Sequence, residues 1–343
     1  MSEHSMEEND VMNDTADRHT AEAAQERPLL ELRNLYVNFY TYRGVVKAIN
    51  GIHLSLRQGE FFGLVGETGC GKSVTGSSIL NLIRNPGRIE SGEIHFKGRD
   101  LLKISEEQMR REIRGKEITM IMQHPVAALN PVMPIEDQLA EAIRQRKGTS
   151  DVHRRSIDML SEVNIPDPEK ILRRYPHQLS GGMAQRVMIA MMLATEPALL
   201  IADEPTTALD VSVQAQVLNL LKRLIERHNS SVLLITHDMS VVSETCERVA
   251  VMYAGDIIEV GEVEEVIFDP KHPYTQGLMQ AIPTEERDEL EGIPGTVPEL
   301  VDPPPGCRFH PRCPHAMDIC KEKKPPERNL GGGHLVACWL YEQ

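Results

Sequence analysis

The sequence predicts an α/β protein built on a largely parallel sheet with a phosphate site at its carboxyl edge, and three observations point there. Phe61-Phe62-Gly63-Leu64-Val65 is apolar on both faces, as a central parallel strand must be, and it runs straight into the glycine-rich loop Gly66-Glu67-Thr68-Gly69-Cys70-Gly71-Lys72-Ser73. Leu199-Leu200-Ile201-Ala202 and Val232-Leu233-Leu234-Ile235 repeat the buried-strand signature. The first ends on Asp203 and Glu204, and the second is followed by His237. Ligands of open α/β sheets sit at the carboxyl ends of the strands, so this pattern gathers Lys72, Asp203, Glu204 and His237 around one site.

The elements follow in order. Residues 1 to 27 hold eight acidic and two basic residues and little apolar bulk, the composition of a solvated, disordered tail. Leu30-Glu31-Leu32, Leu35 to Phe39 and Ile52 to Leu56 alternate as half-buried antiparallel strands do. After the central strand a helix begins at Lys72. Ile118 to Met122 reads as a strand leading to Gln123 and a proline-bearing loop. From about 124 to 194 the apolar positions Leu139, Ile143, Ile157, Leu160 and Val163 recur near the helical period, broken at Pro166 and Pro168, which predicts a helical subdomain. Residues 266 to 343 are rich in Pro and Gly and too loop-like for a large core of their own. No repeat of 20 to 50 residues is visible.

Composition narrows the function. A chain of 343 residues with 41% hydrophobic content can bury a full α/β core and carry a small appendage. No run approaches the about 18 apolar residues of a membrane span, and the first 27 residues have no apolar targeting segment. A chain neither secreted nor membrane-spanning is expected. The net charge of −14 opposes broad binding to nucleic acid or to anionic lipid, so any membrane association must run through protein partners.

The chemistry at the predicted site is that of nucleoside triphosphate hydrolysis. Gly66 to Ser73 fits G-x-x-x-x-G-K-[ST], in which backbone N–H groups wrap a phosphate chain, the lysine reaches the β- and γ-phosphates and the hydroxyl holds Mg²⁺. The amides of Gly69, Cys70, Gly71, Lys72 and Ser73 open a helix, whose N-terminus favours anions. Asp203 is a second Mg²⁺ partner. Glu204 is in position to orient or deprotonate the attacking water, and His237 to bridge Glu204 and the γ-phosphate. Ser180-Gly181-Gly182 opens another helix and so makes a second anion-binding end. Cys70 reads as a tolerated small residue that presents its backbone.

Gly66 to Ser73, Gln123, Leu179 to Met183, Leu199 to Glu204 and His237, in this order, resemble the ATP-binding subunits of ABC transporters over roughly residues 28 to 265. The resemblance implies a P-loop NTPase fold with a RecA-like core, an antiparallel β-subdomain and a helical subdomain. It implies that Gln123 contacts Mg²⁺ and the nucleophilic water, and that Met133, Pro134 and Ile135 lie near a permease. An aromatic should stack on adenine, Tyr42 ahead of Tyr40 and Phe39. Ser180, Gly181, Gly182 and Gln185 should close over ATP held by another subunit, with Asp210 linking the two sites of a head-to-tail ATPase dimer.

The tail narrows the resemblance. Phe268-Asp269-Pro270-Lys271-His272-Pro273-Tyr274-Thr275 and Pro303-Pro304-Pro305-Gly306-Cys307 look like the C-terminal extension of dipeptide and oligopeptide importer ATPases. Partners of that family are two multi-span permeases, a sister ATPase making a heterodimer rather than a homodimer, and an extracytoplasmic solute-binding protein. The location implied is the cytoplasmic face of the membrane. Cys307, Cys313, Cys320 and Cys338 form a four-thiolate set whose chemistry suits Zn²⁺ or a [4Fe–4S] cluster. The resemblance favours the cluster, acting as a structural staple. The rival readings are a soluble ABC ATPase of repair or translation and an ATPase gated by its cluster.

Overall fold

The computed structural model describes residues 27–122, 128–146, 150–206, 211–281 and 292–342, with the side chains of 211–213 left aside. Gln123, Asp210 and almost all of the acidic N-terminal stretch lie outside the described residues.

Two sheets organise the chain. The smaller is antiparallel in the order β2-β1-β4-β5, with β1 Leu30–Thr41, β2 Gly44–Leu56, β4 Gly87–Phe96 and β5 Arg99–Asp100. The two strands expected at Leu30–Leu32 and Leu35–Phe39 are one. The register slips between Leu32 and Leu35, where Asn34 takes a left-handed φ of 48°, so a bulge keeps both apolar sets on the buried face. β4 carries no strand signature in the sequence, since Gly87 to Phe96 reads as mostly polar.

The larger sheet has the order β11-β12-β10-β9-β3-β8-β7-β6. β3 Phe61–Val65, β6 Ile118–Ile121, β7 Leu199–Asp203, β8 Ser231–Thr236 and β9 Arg248–Tyr253 are its parallel part. Every residue of β3, β7 and β8 is buried, as their unbroken apolar runs require. β10 Asp256–Glu262, β12 Leu335–Ala337 and β11 Glu327–Asn329 continue it antiparallel. The tail therefore does not hang from the core: its last hairpin is the edge of the main sheet.

Helix α1, Lys72–Ile79, follows the glycine loop. The helical segment holds α2 Ile135–Arg144, α3 Val152–Glu162, α4 Pro168–Leu172 and α5 Gly181–Leu193. Leu139, Ile143, Leu160 and Val163 are buried in it as expected, together with Val187 and Leu193 of α5. Helix α6, Val211–His228, packs Val217, Leu221 and Leu224 into the same core. α7 Met239–Thr245, α8 Val263–Phe268 and α9 Pro273–Gln280 follow, and α10 Asp318–Glu322 lies in the tail. A separate core joins β9 and β10 to the tail, with Tyr253, Tyr274 and Phe309 in mutual ring contact at 4.7 to 5.4 Å.

Candidate active site

The glycine loop bends between β3 and α1 where a side chain has no room. A Cβ on Gly66 would lie 2.1 Å from the Met252 carbonyl oxygen, and one on Gly71, at φ 111°, 2.6 Å from that of Ala48. The loop is thus a cradle lined by its own backbone. Lys72 is buried, and its Nζ donates to the carbonyls of Gly66 at 2.7 Å and Glu67 at 3.1 Å. Cys70 is fully buried, burial pushes its thiol pKa up, and its carbonyl accepts from Gly255 N–H.

The strand ends deliver the other groups as expected. Ser73 Oγ donates to Asp203 Oδ1 at 3.0 Å, so a hydroxyl and a carboxylate from different strand–helix units share one point. Burial holds the Asp203 pKa above the usual carboxylate value against the Ser73 hydrogen bond, and the Glu204 charge pushes the same way. A hard divalent cation with oxygen ligands fits this pair, since it would favour the ionised form. Glu204 has a left-handed φ of 46° and its N–H donates to Ile235 O at 2.8 Å. Its Oε1 lies 3.2 Å from His237 Nδ1. His237 is more than half exposed while the Glu204 side chain is mostly covered, so the imidazole stands on the open side of the carboxylate.

The remaining residues divide. Tyr42 is 92% exposed, and with Thr68, Gly69 and residues Val297 to Val301 of the tail it lines an open cavity of about 750 Å³ beside the glycine loop. Its rivals are engaged elsewhere, Tyr40 donating to Glu90 and Phe39 packing on the β-subdomain core. Ser180 caps α5, its Oγ accepting from Met183 N–H, and the helix begins at Gly181. Gly181 has open space where a Cβ would stand. Gln185 is not beside them on the surface: it is buried and its amide donates to the Pro205 carbonyl, which ties α5 to the turn after Glu204. Of the loop residues expected near a permease, Ile135 is core, whereas Met133 lines a cavity of about 550 Å³ with Arg110, Arg111, Lys116 and Gln145. Val132, next to Met133 in the chain, is exposed, as is Met122 just past the end of β6.

The four tail cysteines are free thiols that come together. Cys307 feels Cys320, Cys338 and Cys313, Cys338 feels Cys313 and Cys320, and Cys313 feels Cys320, so all six pairs interact. Burial, with these neighbours adding, raises Cys307 to about 12 and Cys338 to about 11. No three of the sulfurs lie within 4.8 Å of one another; among the described residues only Glu93, His95 and Asp100 meet that distance as possible metal ligands, with Lys103 already paired to Asp100.

Fold and site together define an ATP-binding cassette. Residues 49–207 match the family model for ABC transporters, and residues 258–320 match the oligopeptide/dipeptide transporter C-terminal region. The ATP-binding cassette MJ0796, in a dimeric post-hydrolysis state bound to ADP and Pi, shares the fold at a TM-score of 0.61, 24% identity, 68% of this chain and 98% of that one. CbiO1 of Clostridium perfringens, part of an ABC transporter complex, gives 0.60 at 26% identity over 71% and 92%. A dipeptide transport ATP-binding protein of Bacillus subtilis is 48% identical over 92% of this chain and 95% of its own length. An oligopeptide transport ATP-binding protein of the same organism is 48% identical over 91% and 88%, and the Escherichia coli dipeptide transport counterpart 45% over 90% and 96%. The chain belongs to the family of dipeptide and oligopeptide transport ATP-binding proteins and is an ABC ATPase. A soluble ATPase of repair or translation is not favoured, because the similarity runs through the tail as well as the cassette. Among the described residues no helix is long and apolar enough to cross a membrane.

Proposed function

We propose that this chain is one of two ATP-hydrolysing subunits driving uptake of dipeptides or oligopeptides through two membrane permeases, fed by an extracytoplasmic binding protein. The observation that carries the reading is the meeting of Ser73 with Asp203 and of Glu204 with His237 at the carboxyl edge of β3, β7 and β8. In it ATP would lie along Gly66 to Ser73 with Lys72 at the β- and γ-phosphates, and Ser73, Asp203 and Gln123 would hold Mg²⁺, which would supply neutralisation of the charge developing on the transferred phosphoryl group. Glu204 takes the proton of the attacking water, and His237 holds that carboxylate in place from its open side. The adenine rests on Tyr42, in the cavity that the tail helps to wall.

Ser180 to Gly182 close over ATP on a second ATPase, the sister subunit of a heterodimer, with Gln185 and Asp210 carrying the closure to the site behind them. Two sides then neutralise one γ-phosphate, so closure depends on ATP and ends with hydrolysis. The basic, methionine-bearing cavity at Arg110, Arg111 and Met133 takes a permease loop at the cytoplasmic face of the membrane. Affinity capture of the tagged chain from detergent-solubilised membranes tests the assembly: two permeases and a second ATPase are expected, and capture without any membrane protein would sink it.

Cys307, Cys313, Cys320 and Cys338 are assigned to a structural [4Fe–4S] cluster, with Zn²⁺ as the alternative. All six pairs interact, which supports a shared ligand. Metal and sulfide analysis of anaerobically purified protein decides: iron with sulfide is expected, zinc selects the alternative, and neither overturns both.

A further inference from the structure

The phosphate loop is held from outside the cassette. Glu67, inside the loop, has its carboxylate gripped by Arg312 of the tail, with Nη1 on Oε2 at 2.8 Å and Nη2 on Oε1 at 3.3 Å. This is the two-pronged fork by which a guanidinium orients as well as neutralises a carboxylate. Arg312 is nearly fully buried, whereas Glu67 is about one-third exposed. The arginine is in turn fixed by the carbonyls of Pro294 at 2.8 Å and Ile293 at 3.2 Å and by the Tyr253 hydroxyl at 3.4 Å, and it lies over the Tyr253 ring. The Glu67 N–H donates to the hydroxyl of buried Tyr274, a second tail residue, at 3.0 Å. The Glu67 carbonyl takes Lys72 Nζ. One loop residue is therefore pinned at its side chain and N–H by the tail, and at its carbonyl by the lysine that meets phosphate.

Electrostatics gives this pin a purpose. A carboxylate on a loop that wraps a triphosphate repels its ligand unless a cation cancels it and turns it away. We infer that Arg312 is a positioning residue for ATP binding: it neutralises Glu67 and fixes the backbone of the phosphate loop, which makes the C-terminal extension a working part of the nucleotide site. The inference rests on the reading of Gly66 to Ser73 as the ATP loop.

The test measures equilibrium binding of a fluorescent ATP analogue with Mg²⁺ and thermal unfolding on the purified full-length chain, and KM and kcat for ATP on the full-length chain combined with its sister ATPase. Arg312→Gln should weaken nucleotide binding about tenfold and raise KM more than it lowers kcat. Arg312→Lys, which keeps the charge but loses the fork, should fall between it and wild type. Adding Glu67→Gln to Arg312→Gln should recover part of the affinity, since it removes the carboxylate left without its cation. A purely structural arginine would lower the unfolding temperature while leaving affinity and KM unchanged in the folded protein, and that result overturns the inference, as does a double variant that binds no better than Arg312→Gln. If Arg312→Gln does not fold, Arg312→Lys decides alone, wild-type KM being the overturning result. Lys72→Ala separates the two levels. Undiminished nucleotide binding by it would remove the ATP-loop reading itself, whereas its loss of binding beside a normal Arg312→Gln would overturn only the role of Arg312.

Discussion

Glu204 shows how one residue combines strain and function. A left-handed backbone at a non-glycine residue costs on the order of 1–3 kcal/mol and persists only where its surroundings enforce it. Here the N–H bond to Ile235 O and the bond to His237 do so, and they aim the carboxylate past the end of β7. Glu204→Gln keeps the size and the hydrogen bond to His237 but cannot take a proton. In the presence of the sister ATPase it should bind ATP as wild type does and hydrolyse it at least about 100-fold more slowly, with an ATP-dependent heterodimer persisting in size-exclusion chromatography; turnover near the wild-type rate would remove Glu204 from the mechanism. The identity of this residue was legible in the sequence, because an acidic pair closing an apolar strand has few other uses. Its backbone strain was not, because φ at one residue is set by what the neighbouring strand offers its N–H.

Helix α9 carries a pH prediction. His272 is its N-cap, with Nδ1 accepting the Tyr274 N–H at 3.0 Å, and it is buried. Burial lowers its pKa to about 3 from an ordinary 6.5. Because the unfolded chain takes up the proton first, the native state is fully favoured above pH 6.5 and loses stability as pH falls from 6.5 toward 3, by about 1.4 kcal/mol per pH unit. Denaturant titrations at pH 7.5, 6 and 5 should show a small loss down to pH 6 and approach that slope between pH 6 and 5. Asn at position 272, a good cap that does not titrate, should flatten it; an unchanged slope in His272→Asn would place the acid sensitivity elsewhere. The helix has no periodic signature of its own in the sequence, where Phe268 to Thr275 carries only a family resemblance.

At the scale of the molecule, the tail is held by a buried carboxylate. Glu259 of β10 accepts from Lys271 N–H at 2.7 Å, His272 N–H at 2.9 Å and His334 Nε2 at 2.7 Å, joining the main sheet to the entry of α9 and to the turn between β11 and β12. Glu259→Ala leaves three donors without a partner, those of His272 and His334 buried and that of Lys271 partly so, at about 1–3 kcal/mol for each buried one. Loss of at least about 3 kcal/mol is expected in chemical denaturation, and a change under 1 kcal/mol would show that the packing of Tyr253, Tyr274 and Phe309 suffices. The sequence alone determined the phosphate loop, the parallel strands beneath it, the helical segment and the clustering of four cysteines, because each is a local pattern: a spacing, a period or an unbroken apolar run. Only the tertiary structure decided that the tail completes the main sheet, that Gln185 turns inward, and that Arg312 reaches Glu67 from 245 residues away. Such contacts arise from the closure of a long loop onto a surface already formed, and neither partner carries in its own neighbourhood any periodicity or composition that marks the other.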